Sequence, residues 1–282
     1  MYPREGGIMP FRGHLDPADA MSRATTRSRL IVNADDFGYS ELVTTSIREA
    51  LSLRRITSAT ILANGAAADQ AIATAAAFPA CSFGVHLNLT EFRPLTSSAT
   101  LRDVGLVDQE GVFLGEAFRR LRPSPGLLQA CYDELDAQLQ SVMARGLRPS
   151  HLDSHHHIHT VAWLLPVIWL LMRRHRIFRL RNTMDIYSLH SQRPPSRRLL
   201  AAKQIWRAAA RWMGARMPDH FTSVSIFLEN PYRAAFAPGC SIEVMCHPGQ
   251  AGFEQETALL LSQPHSPFPS GFELVSYCNI PA

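Results

Sequence analysis

Residues 30–40 have the sequence LIVNADDFGYS, and this stretch decides how the rest of the chain is interpreted. Leu30, Ile31 and Val32 form a short apolar run typical of a buried strand. Ser40 is a candidate N-cap, and the apolar residues after it recur on one helical face. A strand that runs through a polar turn into a helix is the first half of a βαβ unit. The stretch therefore predicts a parallel sheet whose first strand ends in two adjacent aspartates.

The alternation of strand and helix continues downstream of residue 40. Further strands are predicted at 56–62, 83–89, 150–153, 177–181 and 241–247, and helices at 126–145, 161–175 and 199–217. Strands separated by helices are typical of a parallel sheet. Single α/β barrels often run to about 200–250 residues. A chain of 282 residues with no internal repeat therefore predicts one α/β domain.

Composition and charge limit the partners and the compartment expected for this chain. The formal net charge is +4 and 46% of the residues are hydrophobic, as in ordinary globular proteins. The basic residues do not form the aromatic-interleaved platform that binds nucleic acid, so no nucleic-acid partner is expected. Five scattered cysteines favour a cytoplasmic protein without a disulfide framework. Residues 1–29 are predicted to be a disordered lead-in to a domain spanning 30–282.

Acidic and imidazole side chains recur at the predicted strand ends. Asp35 and Asp36 follow the first strand, and His86 lies in the third. The segment 151–159, HLDSHHHIH, begins in the fourth strand and continues beyond it, and His247 ends the last strand. In an α/β barrel the carboxyl ends of all strands face one mouth, where active sites are built. These residues are therefore expected to converge on one site.

Taken singly, most of these groups are weak signals. Adjacent aspartates are common at turns and helix caps, and most strand histidines bind no metal. The segment 151–159 is stronger, because six candidate ligands or bases fall within nine residues. Together the groups supply imidazole and carboxylate ligands with a spare acid and a spare base. Those are the components of metal-assisted hydrolysis.

Four motifs in chain order carry a resemblance to a known family. They are NADDFG at 33–38, GVHLNLT at 84–90, HLDSHHHIH at 151–159 and EVMCHP at 243–248. With them the chain resembles the YdjC-like carbohydrate deacetylases, which include chitooligosaccharide and hopanoid-associated deacetylases. The resemblance implies a distorted TIM-like barrel with one divalent metal ion, magnesium or zinc. It also implies removal of the acetyl group from an N-acetylated amino sugar, carried on an oligosaccharide or a glycolipid.

The resemblance also implies roles for individual residues. The expected metal ligands are Asp36, His86 and His155, with Asp35 as general base and His247 as general acid. Substrate binding or orientation of the ligands is expected of four further residues, Asn88, Asp153, His157 and Arg179. The resemblance implies a homodimer as well.

Two regions depart from the family pattern. Beyond Gly249 the tail is short and contains four prolines, which predicts a missing or remodelled last barrel element. The basic, amphipathic insertion near 192–219 predicts a surface helix that covers the barrel. The alternative for this insertion is peripheral contact with a lipid-linked sugar or an acidic membrane surface.

Two other functions fit parts of the pattern. His151 and Asp153 with a distant His247 resemble the facial triad of non-haem iron oxygenases. Those enzymes are all-β, whereas the predicted strands here alternate with helices. A sugar-binding barrel that has lost catalysis is the second alternative, although every expected catalytic group is present.

Overall fold

The structure is a computed structural model that describes residues 27–188, 194–229, 237, 239–262 and 264–280. Most of the predicted lead-in at 1–29 lies outside these residues. Ser28 and Arg29 belong to the first strand, which therefore begins two residues before Leu30. In the described part of the chain, no helix combines the length and the apolar character needed to cross a bilayer.

Seven parallel strands form one sheet. They are β1 (Ser28–Phe37), β2 (Ser58–Ile61), β3 (Ser82–Leu87), β4 (Leu152–Ser154), β5 (His220–Ser223), β6 (Ser241–Cys246) and β7 (Phe272–Leu274). Their order is β4-β3-β2-β1-β6-β5, and β7 pairs with the first residues of β1. The sheet curls into a half-barrel, which confirms the single α/β domain with a TIM-like architecture.

Helices follow most of the strands, as a parallel sheet requires. The α-helices of the described residues are α1 (Glu41–Ser52), α2 (Ala68–Ala75), α3 (Ser98–Asp103), α4 (Pro125–Ala144), α5 (Leu165–His175), α6 (Arg197–Trp212), α7 (Val224–Glu229) and α8 (Glu254–Leu261). Ser40 caps α1 as predicted, since its hydroxyl accepts a hydrogen bond from the Val43 amide at 3.2 Å.

An irregular segment, residues 178–185, links the two edges of the sheet. Its Arg181 amide donates to the Leu152 carbonyl in β4 at 3.0 Å. Further along, the Asp185 amide donates to the Phe221 carbonyl in β5 at 3.2 Å. The barrel is therefore closed by loop backbone where a regular strand would otherwise stand.

Side chains of β1 alternate between an apolar outer face and a polar interior. Leu30, Val32 and Ala34 belong to the main hydrophobic core. Asn33 and Asp35 point the other way, and the side-chain Nδ2 of Asn33 donates to the Asp35 carboxylate at 2.9 Å. The inside of the half-barrel is thus lined with polar groups that must find partners among themselves.

The segment after β7 plugs the amino end of the half-barrel. Val275, Tyr277 and Ile280 pack against Ile31 of β1. The Tyr277 ring stacks on His151 with 3.6 Å between ring centroids. The tail therefore supplies a remodelled last element, one of the two outcomes predicted from its prolines.

Three local predictions differ from the structure. The strand at 177–181 is wrong, because this segment forms only isolated bridges, from Leu180 to Leu152 and from Arg179 to Arg216. The strand β5 was missed, since its sequence HFTS is short and partly polar. The helix expected at 199–217 ends at Trp212, where Gly214 follows with a left-handed φ of +93°.

Candidate functional site

A bulge at the end of β1 separates the two adjacent aspartates. The pairing of β1 with β2 shifts register between Ala34 and Phe37, and Asp36 adopts a left-handed φ of +63°. This conformation is uncommon for a residue other than glycine, although aspartate adopts it more readily than most residues. Asp35 consequently faces the barrel interior while Asp36 faces the carboxyl rim, so the two carboxylates have different partners.

Asp36, His86 and His155, here called the rim cluster, lie together and are buried. Asp36 Oδ1 lies 2.8 Å from His155 Nδ1 and 3.3 Å from His86 Nε2. The structure thus brings the three expected ligands together. Although burial alone would raise it, the two imidazoles hold the pKa of Asp36 well below its usual range.

The donor set of the rim cluster suits a divalent cation. One carboxylate and two imidazoles can each offer a ligand atom, and these atoms all lie within 4.8 Å of one another. The buried His155 Nε2 makes no regular hydrogen bond among the described residues and lies 3.4 Å from the Glu91 carboxylate. The residues present therefore fit a metal ion.

Asp153 fixes the orientation of His86. Asp153 Oδ1 lies 2.7 Å from His86 Nδ1, and Asp153 Oδ2 accepts a hydrogen bond from Thr60 at 2.9 Å. Burial would lower the pKa of His86, but Asp153 and Asp36 raise it to about 10. A carboxylate on one ring nitrogen leaves the other nitrogen aimed at a ligand, as in carboxylate–histidine–metal arrangements.

A buried arginine lies beneath the rim cluster and was not predicted. The Arg181 guanidinium donates two hydrogen bonds of 2.6 Å to Asp35 and lies 2.9 Å from Asp153 and 2.8 Å from Glu243. The Tyr277 hydroxyl donates to the other oxygen of Glu243. These five residues are called the interior network, in which one cation is shared by three carboxylates.

Arg179 lies apart from the interior network. Its guanidinium donates to the Cys278 carbonyl at 3.1 Å, near the amino end of the half-barrel, and is half-buried. Of the two arginines in the segment Phe-Arg-Leu-Arg, the structure places Arg181 beside Asp35, whereas the resemblance had suggested Arg179 as the arginine near the site.

His247 reaches the site from the end of β6. Its Nε2 lies 3.9 Å from Asp35 Oδ2, and its Nδ1 lies 3.6 Å from Glu256 Oε2. The ring also packs against Phe253 at 4.2 Å. Although burial alone would lower it, Glu256 and the two aspartates raise the pKa of His247. His247 therefore favours its protonated form beside an ionised Asp35.

The histidine-rich segment divides into residues at the cleft and residues elsewhere. His155, His156 and His157 line the cleft, the last two with left-handed φ values of 50° and 53°. Burial lowers the pKa of His157 to about 3, so its ring is neutral. His159 bonds to Ser154, and His151 stacks on Tyr277 at the opposite end. His151 therefore lies in the plug region and is absent from the metal-capable groups of the described residues.

Asn88 builds a turn and does not itself line the cleft. Its side-chain oxygen accepts from the amides of Thr90 and Glu91 at 2.9 and 3.1 Å, and its Nδ2 donates to the Glu91 carbonyl at 2.7 Å. The turn brings Glu91 Oε2 to 3.4 Å from His155 Nε2. Glu91 was missed, although it directly follows the motif GVHLNLT that predicted His86.

A cleft of about 350 Å³ opens onto these groups. Its lining includes all five residues expected to act as ligand, base or acid, together with Glu91, Arg119 and Gln250. The volume is within the range of small-molecule sites, and a few convergent polar groups typically fix the orientation of a ligand in such sites. The cleft can therefore hold a small polar substrate next to a base, an acid and a cation site.

Comparison with known proteins agrees with this arrangement. The family model described as "YdjC-like protein" matches residues 29–266. Relatives named "Carbohydrate deacetylase" match part of the chain: 38% identity over 148 residues in Halalkalibacterium halodurans and 40% over 149 residues in Geobacillus stearothermophilus. Each match covers 52% of this chain, and 61% and 57% of the respective relative. The chain thus spans about six tenths of the length of these relatives.

A solved structure from Enterococcus faecalis V583 is also similar. That protein carries a provisional name for cellobiose-phosphate cleavage. The match has a TM-score of 0.68 and 27% sequence identity, and it covers 89% of this chain and 98% of the other. The similarity extends over nearly the whole described fold.

Proposed function

The chain belongs to the YdjC-like protein family, and on that premise we propose that it is a metal-dependent carbohydrate deacetylase. It would hydrolyse the N-acetyl group of an amino sugar and release acetate. One observation carries the proposal: the rim cluster, Asp35 and His247 line a single cleft. Relatives named for carbohydrate deacetylation support the reaction class.

Asp36, His86 and His155 would hold the metal, which we propose to be magnesium or zinc. A divalent ion supplies, when bound there, polarisation of the acetyl carbonyl and acidification of a water molecule. Asp153 orients His86 for this task through its bond to Nδ1. The working compartment in this proposal is the reducing cytoplasm, which accords with five free cysteines.

Asp35 would act as the general base. Although burial alone would raise it, the charge and hydrogen bonds of Arg181 hold the pKa of Asp35 far below its usual range. Asp35 is therefore ionised at every working pH. A carboxylate this weakly basic accepts a proton only from a water molecule that is itself acidic. The two hydrogen bonds from Arg181 hold Asp35 in place for that transfer.

His247 would act as the general acid. Its raised pKa favours the protonated ring, and its Nε2 is the nitrogen on the Asp35 side. Expulsion of a sugar amine requires a proton on nitrogen, which a charged imidazole can donate. Glu256 holds this end of β6 by accepting from the His247 amide at 2.9 Å.

The geometry of the site supports the two alternative functions less well than it supports a deacetylase. An oxygenase triad of His151, Asp153 and His247 would need His151 at the cleft, but His151 stacks on Tyr277 in the plug. A sugar-binding barrel without catalysis would not require a charged acid beside an ionised base. Acetate release separates this second alternative from a deacetylase.

The decisive experiment measures acetate release from N-acetylglucosamine oligomers and glycolipids, with and without a chelator. Asp36→Ala removes the carboxylate of the rim cluster and is expected to lower kcat/KM by at least about a thousandfold. Asp103→Ala, an exposed aspartate on α3, is the matched control and should retain full activity. Activity indifferent both to the chelator and to Asp36→Ala would reject the proposal.

A further inference from the structure

The helix α6 lies on the protein surface and is anchored along one stripe. Trp206 and Ala210 are its buried residues, and Trp206 packs edge-on against His159 with 5.7 Å between ring centroids. Lys203 Nζ donates to the Met184 carbonyl at 2.8 Å, and Arg207 donates to the Asp219 carbonyl at 2.8 Å. This stripe orients the helix and leaves its opposite face toward solvent.

The solvent face of α6 is apolar. Ile205 is 71% exposed and Trp212, seven residues later on the same face, is 86% exposed. Between and beside them lie exposed alanines at 201, 202 and 208. A surface helix normally presents polar residues outward, so an exposed tryptophan and isoleucine in one stripe indicate an interaction surface.

The same helix carries positive charge without acidic residues. Its sequence, RRLLAAKQIWRAAARW, contains five cations and no aspartate or glutamate. Lys203 and Arg207 are engaged in the anchoring stripe. Arg197, Arg198 and Arg211 are exposed, and no ion pair of theirs occurs within the described ranges. Arg198 lies in line with Ile205 at the amino end of the apolar stripe, and Arg197 and Arg211 flank it, so exposed guanidinium groups accompany the apolar residues toward an anionic partner.

We propose that α6 docks this protein on an anionic phospholipid surface, lying in the plane of the interface. Helices with an apolar face, basic borders and an interfacial tryptophan bind membranes in this way. A second copy of the chain is the poorer occupant, because a two-fold interface through this face would bring the arginines of both copies together. The inference goes beyond the deacetylase proposal and does not depend on it.

Docking through α6 would also set the position of the cleft. Lys203 binds the Met184 carbonyl, and Met184 lines a side pocket together with Met245 and His247. The helix is thus connected by one contact to the wall of the site.

The test is sedimentation of the full chain with vesicles of phosphatidylcholine alone or mixed equally with phosphatidylglycerol. The wild type is expected to bind the mixed vesicles and to be released by salt. The double variant Ile205→Asn, Trp212→Ser should lower the partition coefficient at least about tenfold through lost apolar burial. The double variant Arg198→Glu, Arg211→Glu should also lower it at least about tenfold, since each basic residue contributes about fivefold.

Matched controls come from α1, where Leu42 is 67% exposed and Arg48 is exposed. Leu42→Asn and Arg48→Glu should leave binding unchanged, and circular dichroism checks that all variants are folded. Equal binding of wild type and both α6 variants overturns the proposal. So does equal binding to neutral vesicles. A dimer that the Ile205→Asn, Trp212→Ser variant dissociates, with no vesicle binding, would assign the face to a second copy instead.

Discussion

The rim cluster and the interior network are both buried groups of ionisable side chains, yet they differ in how their polar atoms are satisfied. In the interior network the Arg181 guanidinium contacts Asp35, Asp153 and Glu243, so the charged groups are paired with one another. In the rim cluster the buried His155 Nε2 makes no regular hydrogen bond among the described residues, with only the Glu91 carboxylate at 3.4 Å, and the cluster lines the cleft. Buried polar groups that satisfy one another hold a structure, while unsatisfied ones that face a cleft indicate a ligand.

The largest expected effect comes from breaking the interior network at its cation. Arg181→Met leaves three buried carboxylates without their shared partner, and the free energy of unfolding should fall by about 3–5 kcal/mol. Urea denaturation followed by circular dichroism measures the change. Arg179→Met, two residues away, is the matched control and should cost less than about 1 kcal/mol. Equal losses in the two variants would contradict the distinction between these arginines.

The second prediction uses the pH dependence of the interior network. Burial raises the pKa of Glu243 from 4.5 to about 7, against the charge of Arg181, which is also shared with Asp35 and Asp153. The folded state therefore binds this proton more tightly than the unfolded chain. The Glu243 contribution to stability is present below pH 4.5 and is lost as the pH rises toward 7.

The Glu243→Gln variant isolates that contribution. Relative to it, the wild type should lose up to about 1.4 kcal/mol of unfolding free energy per pH unit across this window. Denaturation of both proteins at several pH values gives the difference in their unfolding free energies. Effects of the substitution that do not depend on pH cancel when this difference is compared between pH values. A difference that does not vary with pH would show that Glu243 titrates normally.

The smallest expected effect comes from changing Asp153, which joins the two regions because it contacts both His86 and Arg181. Asp153→Asn removes the charge that orients His86 and should weaken metal affinity about 10–100-fold. Calorimetric titration of the folded variant with zinc or magnesium measures this loss. Activity should recover at saturating metal, because the ligands themselves remain. Unchanged affinity would mean that the interior network does not support the rim.

The rim could be predicted from the sequence because position along a strand carries the information. Asp36 lies at the end of β1, His86 lies in β3 and His155 follows β4, and parallel strands present these ends to one edge. The convergence of these groups needed only the strand assignments and the residue types, whereas the roles of Asp36, His86 and His155 as ligands came from the family resemblance. Which histidine of the segment 151–159 would face the cleft came from the family resemblance.

The interior network could not be predicted in the same way, because its contacts join distant segments. Glu243 sits in the strand SIEVMC, where an acid between apolar residues signals a buried partner but does not identify it. Arg181 comes from a segment that the sequence suggested was a regular strand, and Tyr277 from a tail with no motif. In a regular strand Arg179 and Arg181 would share a face, and the depth of each in the barrel depends on the closing segment.

The span of the interior network has a consequence for biosynthesis. Asp35 meets Arg181 across 146 positions, and the Tyr277 amide reaches back 195 positions to the Ser82 hydroxyl. A nascent chain on the ribosome exposes Asp35 and Asp153 before their counterion has been translated. Vectorial folding of the half-barrel must therefore wait for residue 181, and its acidic lining stays solvated until then. Contacts of such high sequence separation also slow folding in general. We therefore expect the barrel to fold late, after most of the chain has left the ribosome.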